Sequence, residues 1–317
     1  MCYEHAVFKN EDMVPIVIAF TPNYFIPAAV TLKSLLGSTG DGEGYEVICL
    51  VTEDIPQRQQ DKLTMLGEGR LKFKYLNLNG RLKDVYTDPR YSEAASYRLL
   101  LPDLLPEYDK VAYMDCDVVV RNDIAELYRS TDLGDNYLGV VYEAAIEGQA
   151  ARWEAIGCDA ERYFNSGFLL MNLEQMRRDG IVDKFLEASK VDYLEFPDQD
   201  VLNQVCGGRV LPLSPIYNSI RTFFLPQYKS DFLAVYDEAA WEAVQSGGTI
   251  HYTGGKPWNL FTVKFGEWWT VYDSLPDTIK DEWKPDSRVY ALWKIYRTKS
   301  GRTAIDKFRS LYRKIRH

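Results

Sequence analysis

The run Val111-Ala112-Tyr113-Met114-Asp115-Cys116-Asp117-Val118-Val119-Val120 is an apolar segment interrupted by two carboxylates one residue apart, and it restricts the fold more than any other stretch. In an extended strand alternate side chains share a face, so Asp115 and Asp117 would project together from the end of a buried segment. Like charges there repel and lose hydration. They stay ionised only with a cation or a dense set of donors between them, and a divalent metal held by oxygen ligands is the simplest such cation. The competing reading is a helix cap. Asp123, directly ahead of the periodic segment 124–127, suits that role better. A metal also needs a third ligand from elsewhere.

Upstream, 14–20 reads as a fully buried first strand, and Thr21, Pro22, Asn23 and Tyr24 as the loop after it. An apolar stripe at helical spacing over 26–36 closes at Gly37. A second strand (45–52), a polar helix opened by Pro56 (56–66) and a third strand (71–78) follow. Such alternation predicts right-handed βαβ units, an α/β protein with a mostly parallel central sheet flanked by helices. A helix over 94–101 leads into the Asp115 strand, which places both carboxylates at the carboxyl edge, where open α/β sheets bind ligands. The Thr21 loop opens on that edge too, so a nucleotide would lie with its base near the loop and its phosphates near the metal. Beyond Gly139 the pattern is mixed. A strand over 164–173 starts with polar residues facing the same region, and Asp198-Gln199-Asp200 opens a helix after Pro197. A lone acid there is a cap, but two carboxylates and an amide exceed what one cap requires.

The 317 residues, 46% of them hydrophobic, can bury a large core. The expected division is an N-terminal extension (1–13), a catalytic domain (14–270) and a basic helical tail (271–317). Five scattered cysteines without C-x-x-C spacing argue against a disulfide framework or zinc knuckle and suit a reducing cytosol. No leader or membrane span is expected. The net charge of -9 is unevenly spread: residues 284–317 hold eleven Lys and Arg against Asp286 and Asp306, which leaves -18 on the rest. Aromatic and aliphatic residues alternate with the basic ones. This pattern fits either amphipathic helices on an anionic bilayer or a helix packed on the domain with its basic face in water. No nucleic-acid partner is expected, because no reading element accompanies the charge.

His5 and His317 are terminal, so His251 is the one interior histidine. Alone it reads either as a hydrogen-bonded structural residue or as a ligand. Its neighbours Gly254, Gly255, Lys256 and Pro257 form a turn that lets backbone approach a bulky anion and supplies a fixed point charge for phosphate. An Asp/Asp/His set of hard oxygens plus one nitrogen favours Mn²⁺ or Mg²⁺ over zinc.

The segments 19–24, 95–98, 113–117, 164–167, 198–200 and 251–258 occur in the order seen in family 8 of the retaining glycosyltransferases, and the chain resembles the bacterial lipopolysaccharide galactosyl- and glucosyltransferases of that family over residues 14 to 262. The resemblance implies a GT-A fold, a UDP-sugar donor (UDP-glucose or UDP-galactose), Mn²⁺ as cofactor and retention of configuration. It implies that Asp115, Asp117 and His251 hold the metal and that Gly254 and Lys256 contact the diphosphate. Ala19, Thr21, Asn23 and Tyr24, with Met114 and Cys116, would line the nucleotide pocket, while Arg98, Asn165, Ser166, Asp198 and Gln199 would contact the donor sugar. Thr21-Pro22 departs from the acidic residues of many relatives. Asp198 and Gln199 are the groups expected beside the developing oxocarbenium. Retention could use a covalent intermediate or same-face attack, the latter with the Gln199 amide behind the sugar. The acceptor would be a glycan or lipid-linked saccharide, reached from the cytoplasm or from the inner leaflet through residues 284–317. Glu143 is the candidate acceptor contact. The rival functions are a non-catalytic nucleotide-sugar or glycan binding module, a nucleotidyltransferase and a self-glucosylating protein.

Overall fold

The computed structural model describes residues 13–40, 42–82 and 92–316, with side chains described as far as residue 307. Of the expected N-terminal extension only Met13 is among them. Cys2, His5, His317 and the tail side chains from Phe308 onward lie outside the described residues.

Among the described residues ten strands form two sheets. They are β1 (Val14–Phe20), β2 (Tyr45–Val51), β3 (Leu71–Asn77), β4 (Lys110–Met114), β5 (Val118–Val119), β6 (Leu138–Tyr142), β7 (Phe164–Asn172), β8 (Val210–Pro212), β9 (Ser219–Ile220) and β10 (Ile250–His251). The large sheet has the order β3-β2-β1-β4-β7-β6-β8, and the small one β5-β10-β9. The first half follows the alternation read from the sequence: β3, β2, β1 and β4 are mutually parallel, with the helices Phe25–Gly37 and Gln57–Leu66 between them. In β1, Ile16, Ile18 and Phe20 join one apolar cluster and Val17 another, so both faces are covered. A continuous apolar strand is what such burial selects.

β7 runs antiparallel to both β4 and β6, which makes the sheet mixed. This direction matters for the site, because the start of β7 then lies beside the end of β4. Met114 pairs with Phe168, and Asp115 N–H donates to Gly167 O at 2.9 Å.

The expectation of one strand through 111–120 is corrected. β4 stops at Met114, Asp115-Cys116-Asp117 is a bend, and β5 belongs to the small sheet. Thr31 Oγ1 holds this crossing by bonding Cys116 O at 2.9 Å and Val118 O at 2.8 Å. The carboxylates thus share a region because the chain changes sheets between them, not through strand alternation. β5 pairs antiparallel with β10 in a register that sets Val118 opposite His251.

The helix expected over 94–101 is broken into Glu93–Ser96, a 3₁₀ turn Tyr97–Leu100, and Leu101–Leu104. Pro102, at the second position of the last piece, cannot donate to a continuing ladder. Asp123 caps its helix as read, accepting from Glu126 N–H at 3.0 Å.

The expected boundary between domain and tail, after residue 270, falls inside the helix Phe265–Asp273. Trp268, Trp269 and Tyr272 of that helix pack with Trp283, and Trp269 also packs with Trp293 and Tyr290. Trp293 is 3% exposed and belongs to the main core cluster. The first part of the basic region is therefore packed on the domain, and the helix Lys299–Arg316 follows it.

Candidate active site at the carboxyl edge of the sheet

The sheet crossing, the start of β7 and the β10 turn meet beyond β4. His251 Nε2 lies 3.4 Å from Asp117 Oδ1 and 3.7 Å from Asp115 Oδ2. One ligand atom from each of the three falls within 4.8 Å of the others. The imidazole reaches this position because residue 167 is glycine: a Cβ there would sit 2.1 Å from His251 Cε1. Two carboxylates and one imidazole on a common point fit Mn²⁺ or Mg²⁺.

Each carboxylate also has a cationic neighbour. Arg98 Nη2 donates to Asp115 Oδ1 at 2.8 Å, and Tyr113 OH donates to the same oxygen at 2.9 Å. Lys256 Nζ donates to Asp117 Oδ2 and to Tyr252 O, the latter at 2.8 Å. Burial pushes the Asp117 carboxyl up, but the Lys256 ammonium beside it leads the influences that hold the group well below the usual carboxylate range. Burial is the largest single influence on Lys256 and lowers it, but Asp117, Tyr24 and Asp115 together raise it more, so the lysine stays charged.

Arg98 is 2% exposed. Besides Asp115 it pairs with Asp198 Oδ2 at 3.2 Å, bonds Ala95 O and Ser166 O, and lies 4.1 Å from the Tyr113 ring centre. Burial raises the Asp198 carboxyl despite that guanidinium, and Ser166 Oγ donates to it at 3.1 Å. Asp198 is thus not the cap of its helix: Pro197–Cys206 has Phe196 at its N-cap, with no side-chain cap bond.

The Gln199 amide is held on both sides. Its Oε1 accepts from Ser166 N–H and Asn165 Nδ2, both at 3.0 Å, and its Nε2 donates to Tyr163 OH at 3.1 Å and Glu143 Oε1 at 3.2 Å. Burial raises the Glu143 carboxyl, with bonds from Asn165 and Gln199 opposing. Asp200 is fully buried. It accepts from Arg152, Tyr163 OH and the backbone N–H groups of Glu195 and Phe196.

On the side expected to take the nucleotide, Ala19 is the last residue but one of β1, and the loop expected at 21–24 carries a 3₁₀ turn, Pro22–Tyr24. Tyr24 meets Trp258 edge-on with ring centres 5.7 Å apart. Trp258 packs on Trp268, and Trp269 Nε1 donates to Pro257 O at 3.0 Å, so the aromatic cluster buttresses the turn that carries Lys256. Gly254 has φ +80°, where a side chain would be strained. Met114 and Cys116 are buried in the core, so only their backbone could face a nucleotide.

Sequence reasoning missed Tyr163, Asp200 as a buried anchor, and Asn218. The last has no motif signal. It precedes β9, is 1% exposed, and its Oδ1 lies 2.9 Å from His251 Nδ1.

The fold and this site define a GT-A glycosyltransferase. The sequence pattern of Glycosyl transferase family 8 matches residues 15–261, and the chain belongs to that family. It is 30% identical over 296 residues to a lipopolysaccharide 1,2-glucosyltransferase of Escherichia coli (strain K12), covering 89% of this chain and 82% of that one. Among solved structures it is similar to the galactosyltransferase LgtC in complex with donor and acceptor sugar analogues. That match has TM-score 0.69 and 26% identity over 85% of this chain and all of the other. The bifunctional glycosyltransferase WbbM matches with TM-score 0.72 at 22% identity, a likeness of fold alone; the match covers 88% of this chain and 53% of WbbM. Among the described residues no helix is long and apolar enough to cross a membrane.

Proposed function

We propose that the protein transfers glucose or galactose from a UDP-sugar to a hydroxyl of a glycan or lipid-linked saccharide, with retention and with Mn²⁺ as cofactor. The observation that carries this reading is the convergence of Asp115, Asp117 and His251 next to Lys256. Bound there, the ion would supply positive charge against the diphosphate as the sugar–phosphate bond breaks. Lys256 and the Gly254 backbone would hold the diphosphate from the turn, and Ala19, Thr21, Asn23 and Tyr24 the uridine. Asn165, Ser166, Asp198 and Gln199 would surround the sugar, with Arg98 fixing Asp198 and Asp115 from beneath.

Same-face attack is favoured over a covalent intermediate by how the carboxylates are engaged. Asp198 is committed to Arg98 and Ser166, and Asp200 is fully enclosed. Gln199 offers an amide, a poor nucleophile, and its oxygen already accepts from Ser166 N–H and Asn165 Nδ2. Glu143, bonded to both Gln199 and Asn165, is the acceptor-side group.

Release of UDP from a panel of UDP-sugars with Mn²⁺ tests the reading. Asp115→Asn and His251→Ala are expected to abolish it in folded protein, and full activity of either without Mn²⁺ would refute the metal assignment. Pyrophosphate as product would favour a nucleotidyltransferase. The basic helix Lys299–Arg316 supports peripheral contact with an anionic membrane, which suits a lipid-linked acceptor.

A further inference from the structure

Four buried side chains form one hydrogen-bonded line from the metal triad to the sugar-side amide, and its direction can be deduced from one end. Gly167 N–H donates to Asn165 Oδ1 at 3.0 Å. A backbone N–H can only donate, so the Asn165 oxygen is fixed by chemistry rather than by the choice between look-alike amide atoms. The atom of Asn218 that meets this oxygen at 2.9 Å must then be its NH₂. Its carbonyl is left facing His251 Nδ1 at 2.9 Å. A carbonyl only accepts, so Nδ1 must carry hydrogen. The other face of Asn165 gives its NH₂ to Gln199 Oε1, an oxygen independently fixed by Ser166 N–H. The four side chains are between 1% and 7% exposed, so water is a poor substitute for any of these partners.

We infer that Asn218 is a positioning residue that locks the His251 ring in the Nδ1–H tautomer, so that the Nε2 lone pair faces Asp115 and Asp117, and that it ties this ring through Asn165 to Gln199. The lock has a specific competitor. Without Asn218, the carboxylates 3.4 and 3.7 Å from Nε2 are the strongest acceptors beside the ring. They would draw the single proton of the neutral imidazole onto Nε2, the atom needed for ligation. A partner at the far nitrogen that fixes tautomer and ring orientation typically changes metal affinity 10–100-fold.

This rests on the metal reading above, and its first test uses neither turnover nor metal. The chain has three histidines, so long-range ¹H–¹⁵N spectra of ¹⁵N-His protein, assigned with His251→Gln, resolve the His251 ring nitrogens. Metal-free wild type at a pH where the ring is neutral is expected to show Nδ1–H. Asn218→Ala is expected to show Nε2–H and to bind Mn²⁺ alone 10–100-fold more weakly by electron paramagnetic resonance. Asn218→Asp, which keeps an acceptor at Nδ1, is expected to retain Nδ1–H. An Nε2–H ring in wild type overturns the inference even if UDP-sugar turnover is found. So does an Nδ1–H ring with unchanged Mn²⁺ affinity in folded Asn218→Ala. Conversely, an Nδ1–H wild-type ring in a protein that turns over no UDP-sugar would leave the lock standing and remove the proposed activity.

Discussion

Gly167→Ala is the smallest change that should disable the site while leaving every proposed ligand in place. The added Cβ would lie 2.1 Å from His251 Cε1, 2.7 Å from Nδ1 and 2.9 Å from Nε2. Ordinary contact begins at 3.4 Å, so ring and methyl must separate by about 1.3 Å. The ring has little room to retreat, being 4% exposed and held by Asn218. Moving it the full distance would take Nε2 away from both carboxylates, and a misplacement of about 1 Å costs on the order of 100-fold in rate. Overpacking should also destabilise the fold by about 1–3 kcal/mol. Mn²⁺ affinity by electron paramagnetic resonance and Mn²⁺-dependent UDP release measure the first effect, and urea denaturation the second. A Gly167→Ala protein with wild-type Mn²⁺ affinity and turnover would refute the argument that this glycine exists to admit the imidazole.

Arg98→Met should cost about 3–5 kcal/mol in urea denaturation, because it strands two carboxylates, Asp115 and Asp198, around a buried position; a loss below about 1 kcal/mol would contradict that accounting. Asp179 accepts from Gln175, Tyr137 and Arg209, which lower its carboxyl to about 2. Its folded value is below the unfolded one, so its contribution is present above about pH 4 and lost as pH falls toward 2; Asp179→Asn should flatten that part of a stability–pH curve. Ending the chain after Thr298 should remove salt-sensitive binding to anionic vesicles and spare the fold, since the buried Val289 and Trp293 lie before the cut; vesicle co-sedimentation in rising salt measures it, and equal binding by the shortened protein would dismiss the helix as the anchor.

The parallel half of the fold was legible because β1 and β2 are apolar on both faces and their intervening helices carry clear stops. β7 was legible as a strand but not in its direction, since pairing partner and orientation leave no trace in a single strand's pattern. The site shows the same divide. Asp115, Asp117, His251 and Lys256 stood out because charged or ligating groups beside apolar runs demand an explanation. Asn218 and Tyr163 did not, since a buried amide or phenol is indistinguishable in sequence from any other. For the acidic doublet, strand alternation is not a sufficient reason. An alternating strand and a chain that leaves one sheet for another both bring residues 115 and 117 together, and only the second explains why Thr31 must bond carbonyls on both sides of Asp117.

The two cations of the site have different duties, and their surroundings separate them. Arg98, with a side chain 2% exposed, spends its donors on Asp115, Asp198 and two backbone carbonyls, and lies over the Tyr113 ring. Turning it toward a substrate would leave two carboxylates uncompensated, so its charge belongs to the protein's own balance. Lys256 is 21% exposed at its side chain and rides on a turn with a positive-φ glycine. Besides Asp117 it bonds one backbone carbonyl, Tyr252 O. A flexible ammonium with three rotatable donors can keep one carboxylate contact and turn a second donor to a diphosphate oxygen, whereas a planar guanidinium fixed on every side cannot. The aromatic cluster reaching from Trp283 and Trp293 to Trp258 therefore holds the base of the turn that carries Lys256, the cation of this pair to which the proposed reading gives the diphosphate.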